Sequence, residues 1–401
     1  MHKRTVLITS STYPLDERDP SPRFVHELAR RLAKHFRVYV LAPSTPESVP
    51  VVRYDGVVIL RHRYFFKSLE LLAQRNGMIE NLKRQPLLLL LVPLYCVAQL
   101  AYLRRIRKRI HVDIINAHWL YPQTLIAILG RMAGFLSQPI LGTVHGGDLF
   151  SLKMLAPLKQ FVLNRSDHSM VVGCHMKRYC ELKLGIKESR VSVRSMGVDL
   201  KGQFTNQGLE RNKDFIFVGR LAEKKGISVL LEAISLLALR NRRVGLSVIG
   251  GGDDLPLVKK RVDALGLIDQ IQFLGKLPNS ALPSHLNEHR FFIFPSIVAE
   301  NGDQEGMPLS PVEAQGCGCI VISSDLDSTS DYLEHGKTGF TFKAGSSESL
   351  ADMLEYVLDS GIDLEKISDE ARQSAVQHFD WENVVLEYVN QLTKLIRENE
   401  G

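Results

Sequence analysis

Short apolar runs alternate with helical stretches from one end of this chain to the other, and that alternation leaves few folds open to it. In the first half TVLITS, RVYVLAP, DIINAHW, ILGTVHG, HSMVVG and VSVRSMG read as strands, and in the second half DFIFVGR, LSVIGGG, IQFLG, FFIFPS and CIVISS repeat the scheme. Between them lie helical patterns such as Ser21 to His35, where Phe24, Val25, Leu28 and Leu32 share one face. Strands alternating with helices mean parallel sheets wound by right-handed crossovers, which is the α/β class. The chain has 401 residues, too many for one ordinary core, so two domains of roughly 200 residues each are expected. The division is expected in the polar stretch DLKGQFTNQGLERNKD, residues 199 to 214. That gives Rossmann-like domains over residues 1–205 and 206–378, facing a central cleft. The amphipathic helix of residues 379–401 is expected to pack back on the first domain. In such folds ligands sit at the carboxyl ends of the strands.

With 45% hydrophobic and 23% charged residues, the composition is that of a folded globular protein and excludes a disordered one. A formal charge of +6 suits phosphate-bearing ligands or an anionic membrane surface; no nucleic-acid partner is expected. The five cysteines, Cys96, Cys174, Cys180, Cys317 and Cys319, are odd in number and irregular in spacing. They form no disulfide framework and suit a reducing cytoplasm. Cys174, His175 and Cys180 match no zinc spacing and are expected as packed thiols on a helix. The opening MHKRTVLITSS has no long apolar region and reads as a first strand, so a cytoplasmic protein, peripheral on the inner face of the membrane at most, is expected.

One segment breaks the pattern. PLLLLLVPLYCVAQLAYL, residues 86 to 103, carries no charge and is followed by RRIRKR. A transmembrane helix needs about 20 apolar residues. Pro93 and Gln99 interrupt this one, and a span would separate strands of one sheet. A buried core helix and an interfacial helix with a basic flank stay open, and the run Arg104, Arg105, Arg107, Lys108 and Arg109 favours anionic headgroups.

The chemistry gathers at strand ends. In FVGRLAEKKGI, residues 217 to 227, Arg220 and Lys225 flank a loop before a helix near Gly226, and both suit phosphate oxygens. SVIGGGDDLP puts Gly250, Gly251 and Gly252 at another strand end, where backbone can approach a ligand or simply turn. EHGKTGF contains Gly-Lys-Thr, but Asp331 stands where a P-loop needs glycine and a strand follows, so a turn is expected. His118 and His145 close two strands of the first half. SSDLDS offers Asp325 and Asp327, with nothing else to argue for a metal.

The stretch EGMPLSPVE carries two carboxylates, Glu305 and Glu313, eight positions apart. Gly306-Met307-Pro308 reads as a turn and LSPVEAQGCG as a helix, with Pro308 and Pro311 suited to its first turn. The amides of Gly306 and Met307 then face whatever lies above the turn, Glu305 stands beside it, and Glu313 follows roughly two turns along. Two carboxylates flanking such a turn suit a ligand with hydroxyls at both ends and phosphates between them, as in a nucleotide sugar.

These residues together resemble the GT-B glycosyltransferases of glycosyltransferase family 4. The likeness covers nearly the whole chain, through SPRFVHELARRLAKHF, NAHW, GTVHGGDLF, RSMGVDL, FVGRLAEKKGI, AENGDQEGMPLSPVEAQGCG, EHGKTGF and FDWENV. Its wording is similar to that of bacterial exopolysaccharide and colanic-acid-type transferases. The resemblance implies a hexosyltransferase that retains anomeric configuration and needs no metal or other cofactor. It implies a UDP- or GDP-linked donor and a saccharide or lipid-linked saccharide acceptor. By the same likeness Glu313 holds the donor ribose and Glu305 the hexose hydroxyls. Arg220 and Lys225 bind the diphosphate, His145 sits by the sugar, and His118 and Asp148 are acceptor-side candidates. Gly250, Gly251, Gly306, Met307 and Pro308 complete the implied donor site. The chain departs from the family in two loops, with STYPLDERDPSPR after the first strand and DSTSD after CIVISS. A sugar-nucleotide epimerase of the same fold, or a silent nucleotide-sugar-binding partner, remains as an alternative.

Overall fold

The computed structural model describes all residues except 1–2, 17–18, 20–22, 74–77, 151–154, 301 and 360. The chain divides into two compact units, residues 1–196 with 384–401, and residues 197–383.

The first unit is built on eight strands: β1 (Thr5–Thr9), β2 (Arg37–Pro43), β3 (Val51–Tyr54), β4 (Val57–His62), β5 (Ile114–His118), β6 (Ile140–Val144), β7 (His168–Val171) and β8 (Val191–Val193). Their order is β3-β4-β2-β1-β5-β6-β7-β8. Seven run parallel, and every residue of β1, β5 and β6 is buried, as expected for strands covered by helices on both faces. The direction of winding reverses between β1 and β5, where ligands bind in folds of this type.

The edge departs from the expected all-parallel sheet. β3 runs antiparallel to β4 through a two-residue turn in which Asp55 and Gly56 have φ of 49° and 75°, the geometry that Asp-Gly favours. The helix expected over residues 21–35 is described as Phe24–Leu32, with Val25, Leu28 and Leu32 buried as the periodicity requires.

The second unit holds β9 (Lys213–Val218), β10 (Leu246–Ile249), β11 (Ile271–Gly275), β12 (His289–Phe294), β13 (Ile320–Ser324) and β14 (Phe340–Phe342). The order is β11-β10-β9-β12-β13-β14, and every pairing is parallel. Alternate residues of β9 feed two cores. Phe215 and Phe217 join a cluster with the helices Ile227–Leu239 and Ser347–Asp359. Ile216 and Val218 join another with the helices Ser310–Gly316 and Leu364–Phe379. Here the winding reverses between β9 and β12.

The boundary lies at 196/197, ahead of the polar stretch and not at 205/206. Val198, Leu200 and Phe204 are buried in the second unit's core, the amide of Val198 donates to Phe379 O at 2.8 Å, and a Cβ on Gly197 would stand 2.4 Å from the Trp381 ring. These contacts tie residues 197–204 to the second unit. The last helix runs Trp381–Glu400, and its residues from 384 onward group with the first unit. There Val384, Tyr388 and Leu392 are buried, Glu387 pairs with Arg194, and Glu400 pairs with Arg4.

The apolar segment is a short 3-10 turn, Pro86–Leu90, followed by the helix Leu91–Arg109. It is long and apolar enough to cross a membrane, yet Tyr95, Gln99, Leu103 and Ile106 are buried in the first unit. All five cysteines are free. On the helix Cys174–Leu182, Cys180 is buried and Cys174 is exposed, so only one of the two expected thiols is packed. Residues 336–338 form the turn expected of Gly-Lys-Thr, ahead of β14.

Candidate active site

In the second unit the loops that leave β9 and β12 at the reversal point are bonded to one another. The amide of Ile297 donates to Lys224 O at 2.9 Å. The amide of Glu300 donates to the Glu223 carboxylate at 2.9 Å. Gly226 makes the approach possible. It adopts φ of +63°, and a Cβ there would lie 1.8 Å from Pro295 O. Gly226→Ala is therefore expected to lower stability by at least about 2 kcal/mol, from left-handed strain and overpacking together. A thermal midpoint within a degree of the parent would contradict this packing.

The consequence is a cluster of charge. Lys225 Nζ lies 3.3 Å from Glu305 Oε1, and Lys224 Nζ lies 3.7 Å from the same oxygen and 3.3 Å from Asp303 Oδ1. Lys225 also stands 4.9 Å from the Phe294 ring centre, a cation–π contact that fixes its ammonium. Burial pushes the Glu305 carboxyl up, but Lys225, Lys224 and Arg220 outweigh it and hold the group below the ordinary carboxylate range. Glu305 is thus a charged, nearly buried carboxylate. Arg220 is exposed at the mouth of the same loop.

Gly306 is buried and Met307 half-buried in the turn that follows Glu305. The helix that follows begins at Ser310, with Pro311 in its first turn, so Pro308 precedes it. Glu313 accordingly lies in the first turn rather than two turns along. Its carboxyl is buried enough to be raised to about 7, although the Asn279 side chain bonds to it and opposes the shift.

The glycines after β10 serve packing. Gly250 has φ of +141°, a Cβ there would lie 1.8 Å from Gly219 O, and its amide donates to Gly275 O at 2.8 Å. Gly251 O accepts from Leu221 at 3.0 Å. Both therefore hold the loop after β9 in place. Asp325 Oδ1 accepts from Ala344 N at 2.7 Å, a capping role and not a metal ligand's. Among the described residues no three His, Cys, Asp or Glu side chains gather as a metal site would require.

In the first unit the structure brings His118 and His145 together. His118 Nδ1 is 3.1 Å from His145 Nε2, with the rings stacked at 5.4 Å. Trp119 and Phe24 stand 4.8 and 5.1 Å from the His145 ring. Burial drives His118 well below its usual value, helped by His145, and takes His145 to about 3. Both rings are neutral at physiological pH, one donating to the other. Asp148 is fully buried, and its carboxylate accepts from Leu120 N at 2.7 Å. Burial raises its carboxyl to about 7. It secures the turn that presents Trp119 and Tyr121.

Four residues that matter here escaped the sequence. Lys224 and Asp303 join the charge cluster, and the doublet Lys224-Lys225 was their signal. His26 and Arg61 fix the unusual loop after β1. His26 lies between Tyr13 Oη at 2.8 Å and Asp55 Oδ2 at 3.0 Å, and the buried Arg61 donates to Tyr13 O and Pro14 O. Nothing local in the sequence marks this pair.

Two Rossmann-like units with charged, polar loops at their strand ends define the class, a GT-B glycosyltransferase fold. Residues 21–201 match the model of Glycosyltransferase Family 4, and residues 203–374 that of Glycosyl transferases group 1. The chain is 27% identical over 275 residues to a putative colanic acid biosynthesis glycosyltransferase, WcaL, of Salmonella typhimurium, covering 67% of each chain. It is 27% identical over 279 residues to the amylovoran biosynthesis glycosyltransferase AmsK of Erwinia amylovora, covering 68% of each. Its fold is similar to that of sucrose-phosphate synthase from Thermosynechococcus elongatus, with a TM-score of 0.78 at 16% identity over 99% of this chain and 100% of that one. It is also similar to Anabaena Alr3699/HepE, solved in complex with UDP and glucose, with a TM-score of 0.71 at 16% identity over 98% and 100%. With a glycosyltransferase model matching each part and relatives named as glycosyltransferases, the chain is a glycosyltransferase.

Proposed function

We propose that this chain moves a hexose from a UDP- or GDP-linked sugar to a saccharide acceptor carried on a lipid, with retention at the anomeric carbon and without a metal, in bacterial surface polysaccharide synthesis. The observation that carries the reading is the ionised Glu305 held between Lys225 and Lys224 at the reversal point of the second unit. The names of the relatives, colanic acid and amylovoran transferases, support the product class.

In this reading Arg220 and Lys225 take the negative charge that grows on the departing diphosphate, where a divalent cation would otherwise serve. The Gly306 and Met307 amides add to that field ahead of Pro308. Glu305 accepts hydroxyls of the transferred hexose, and Glu313 those of the ribose. The glycosidic bond breaks toward the diphosphate, whose oxygen takes the proton of the acceptor hydroxyl as the new bond forms on the same face. His145, neutral and oriented by His118, offers a hydrogen bond to the sugar, and the Asp148 turn shapes the acceptor side.

A thermal-shift screen against UDP, GDP and ADP sugars tests the donor, since a ligand at about 100 times its Kd stabilises by about 2.7 kcal/mol. Transfer is expected to survive excess EDTA, and an absolute need for manganese would overturn the metal-free step. Donor incubated without acceptor should remain unchanged; its conversion to an epimer would replace the transferase reading. Retention is read from the anomeric proton coupling of the product by NMR.

A further inference from the structure

The segment Pro86–Arg109 packs one stripe on the first unit and leaves other apolar side chains uncovered. On the buried stripe Gln99 Nε2 donates to Gln123, and Gln123 Nε2 donates to Tyr95 Oη at 2.7 Å. Apolar side chains of the preceding turn and of the helix itself stay exposed. Leu87 is 82% exposed, Leu90 74% and Val97 67%, although burying such side chains is the usual use of them. A contiguous apolar patch of this kind marks a contact with something else.

The chemistry beside the patch says what that is. The last turns carry Arg104, Arg105, Arg107, Lys108 and Arg109, all exposed, and among the described residues none of them has an acidic partner. The loop after β4 packs against the buried side of this helix. Its Tyr64 ring packs on Tyr95 at 5.5 Å, while Phe66 stands 70% exposed with Lys67 next to it. A second copy of this chain, paired through the same face, would bring the same cations. A bilayer with anionic headgroups supplies both missing halves, acyl chains for the leucines and phosphates for the cations.

We infer that residues 86–109 form a membrane-docking surface of the first unit that lies in the plane of an anionic phospholipid bilayer. The helix does not cross, because its Tyr95, Gln99, Leu103 and Ile106 stripe is fixed to the unit. Its first turns enter the acyl boundary and its basic end rests on the headgroups. None of the candidate active-site residues takes part, so the inference stands apart from the transferase reading.

The test uses the full chain, without any sugar substrate, and vesicles of phosphatidylcholine alone or with 30% phosphatidylglycerol by design. The parent protein is expected to sediment with the anionic vesicles at low salt and to be partly released as salt screens the basic run. Leu87→Ser with Leu90→Ser and Val97→Ser should weaken binding by roughly tenfold per residue at any salt. Replacing the five cations with Gln should weaken it by about fivefold per residue and remove the salt dependence. All these side chains are exposed, so both variants should keep the parent's thermal midpoint. Failure of the parent to bind anionic vesicles overturns the inference. So does a stable dimer, seen by light scattering, that the serine variant splits into monomers, since the face would then be an interface between copies.

Discussion

Replacing Lys225 with alanine is expected to lower kcat by about a hundred- to a thousandfold, the usual effect of removing one preorganised group that faces charge developing in a transition state. The ammonium is set before any ligand arrives. Glu305 holds it from one side at 3.3 Å and the Phe294 ring from another at 4.9 Å, and the left-handed Gly226 fixes the backbone behind it. Such a cation need not reorganise as the diphosphate departs. Glu305→Gln tests the partner. It keeps the shape but removes the charge that orients Lys225 and that favours a flattened, cationic sugar ring. Its kcat should fall by roughly tenfold to a hundredfold with little change in KM, and UDP or GDP should still bind. A steady-state comparison that finds kcat intact in Lys225→Ala would mean that this loop does not meet the leaving group.

The strands were legible because parallel strands, covered on both faces, must be written in unbroken apolar runs. β9, β10, β12 and β13 could be read directly for that reason. β3 could not. Val51–Tyr54 is an edge strand, half exposed and carrying Arg53, so it has no such run; only the Asp55-Gly56 pair betrayed the hairpin. The site divides in the same way. Arg220 and Lys225 follow the end of β9 and were found from that position, and Glu305 from its spacing to Glu313 across a turn. Lys224 and Asp303 pair only because Ile297 and Glu300 bond the two loops together, a contact between segments about eighty residues apart. Gly250 stood open between a ligand approach and a turn, and its missing side chain makes room for the Gly219 carbonyl. For residues 86–103, composition sets how apolar a helix is but not which way it faces. Gln99 looked like dilution of an apolar helix and is instead its buried anchor.

Glu313 offers the other large effect, and its direction depends on pH. Burial raises its carboxyl from an ordinary 4.5 to about 7 in the folded chain. The fold therefore prefers the neutral form. The stability that this preference contributes is complete below pH 4.5 and is lost as pH rises through 7, a change on the order of 3 kcal/mol. Glu313→Gln stays neutral throughout, so its thermal midpoint should exceed the parent's at pH 8 and lose that advantage toward pH 4.5. Ligand binding should run the other way. Ribose hydroxyls donate to a carboxylate better than to a carboxylic acid, so the donor KM of the parent should climb as pH falls below 7. In Glu313→Gln the KM should be high and flat, by about tenfold at pH 8, with kcat nearly unchanged, because the ribose takes no part in bond breaking. The two halves of this expectation separate the roles. A stability gain without a KM effect would leave Glu313 as a buried acid of the helix alone. A kcat loss equal to that of Glu305→Gln would mean that the two carboxylates had been assigned to the wrong ends of the donor.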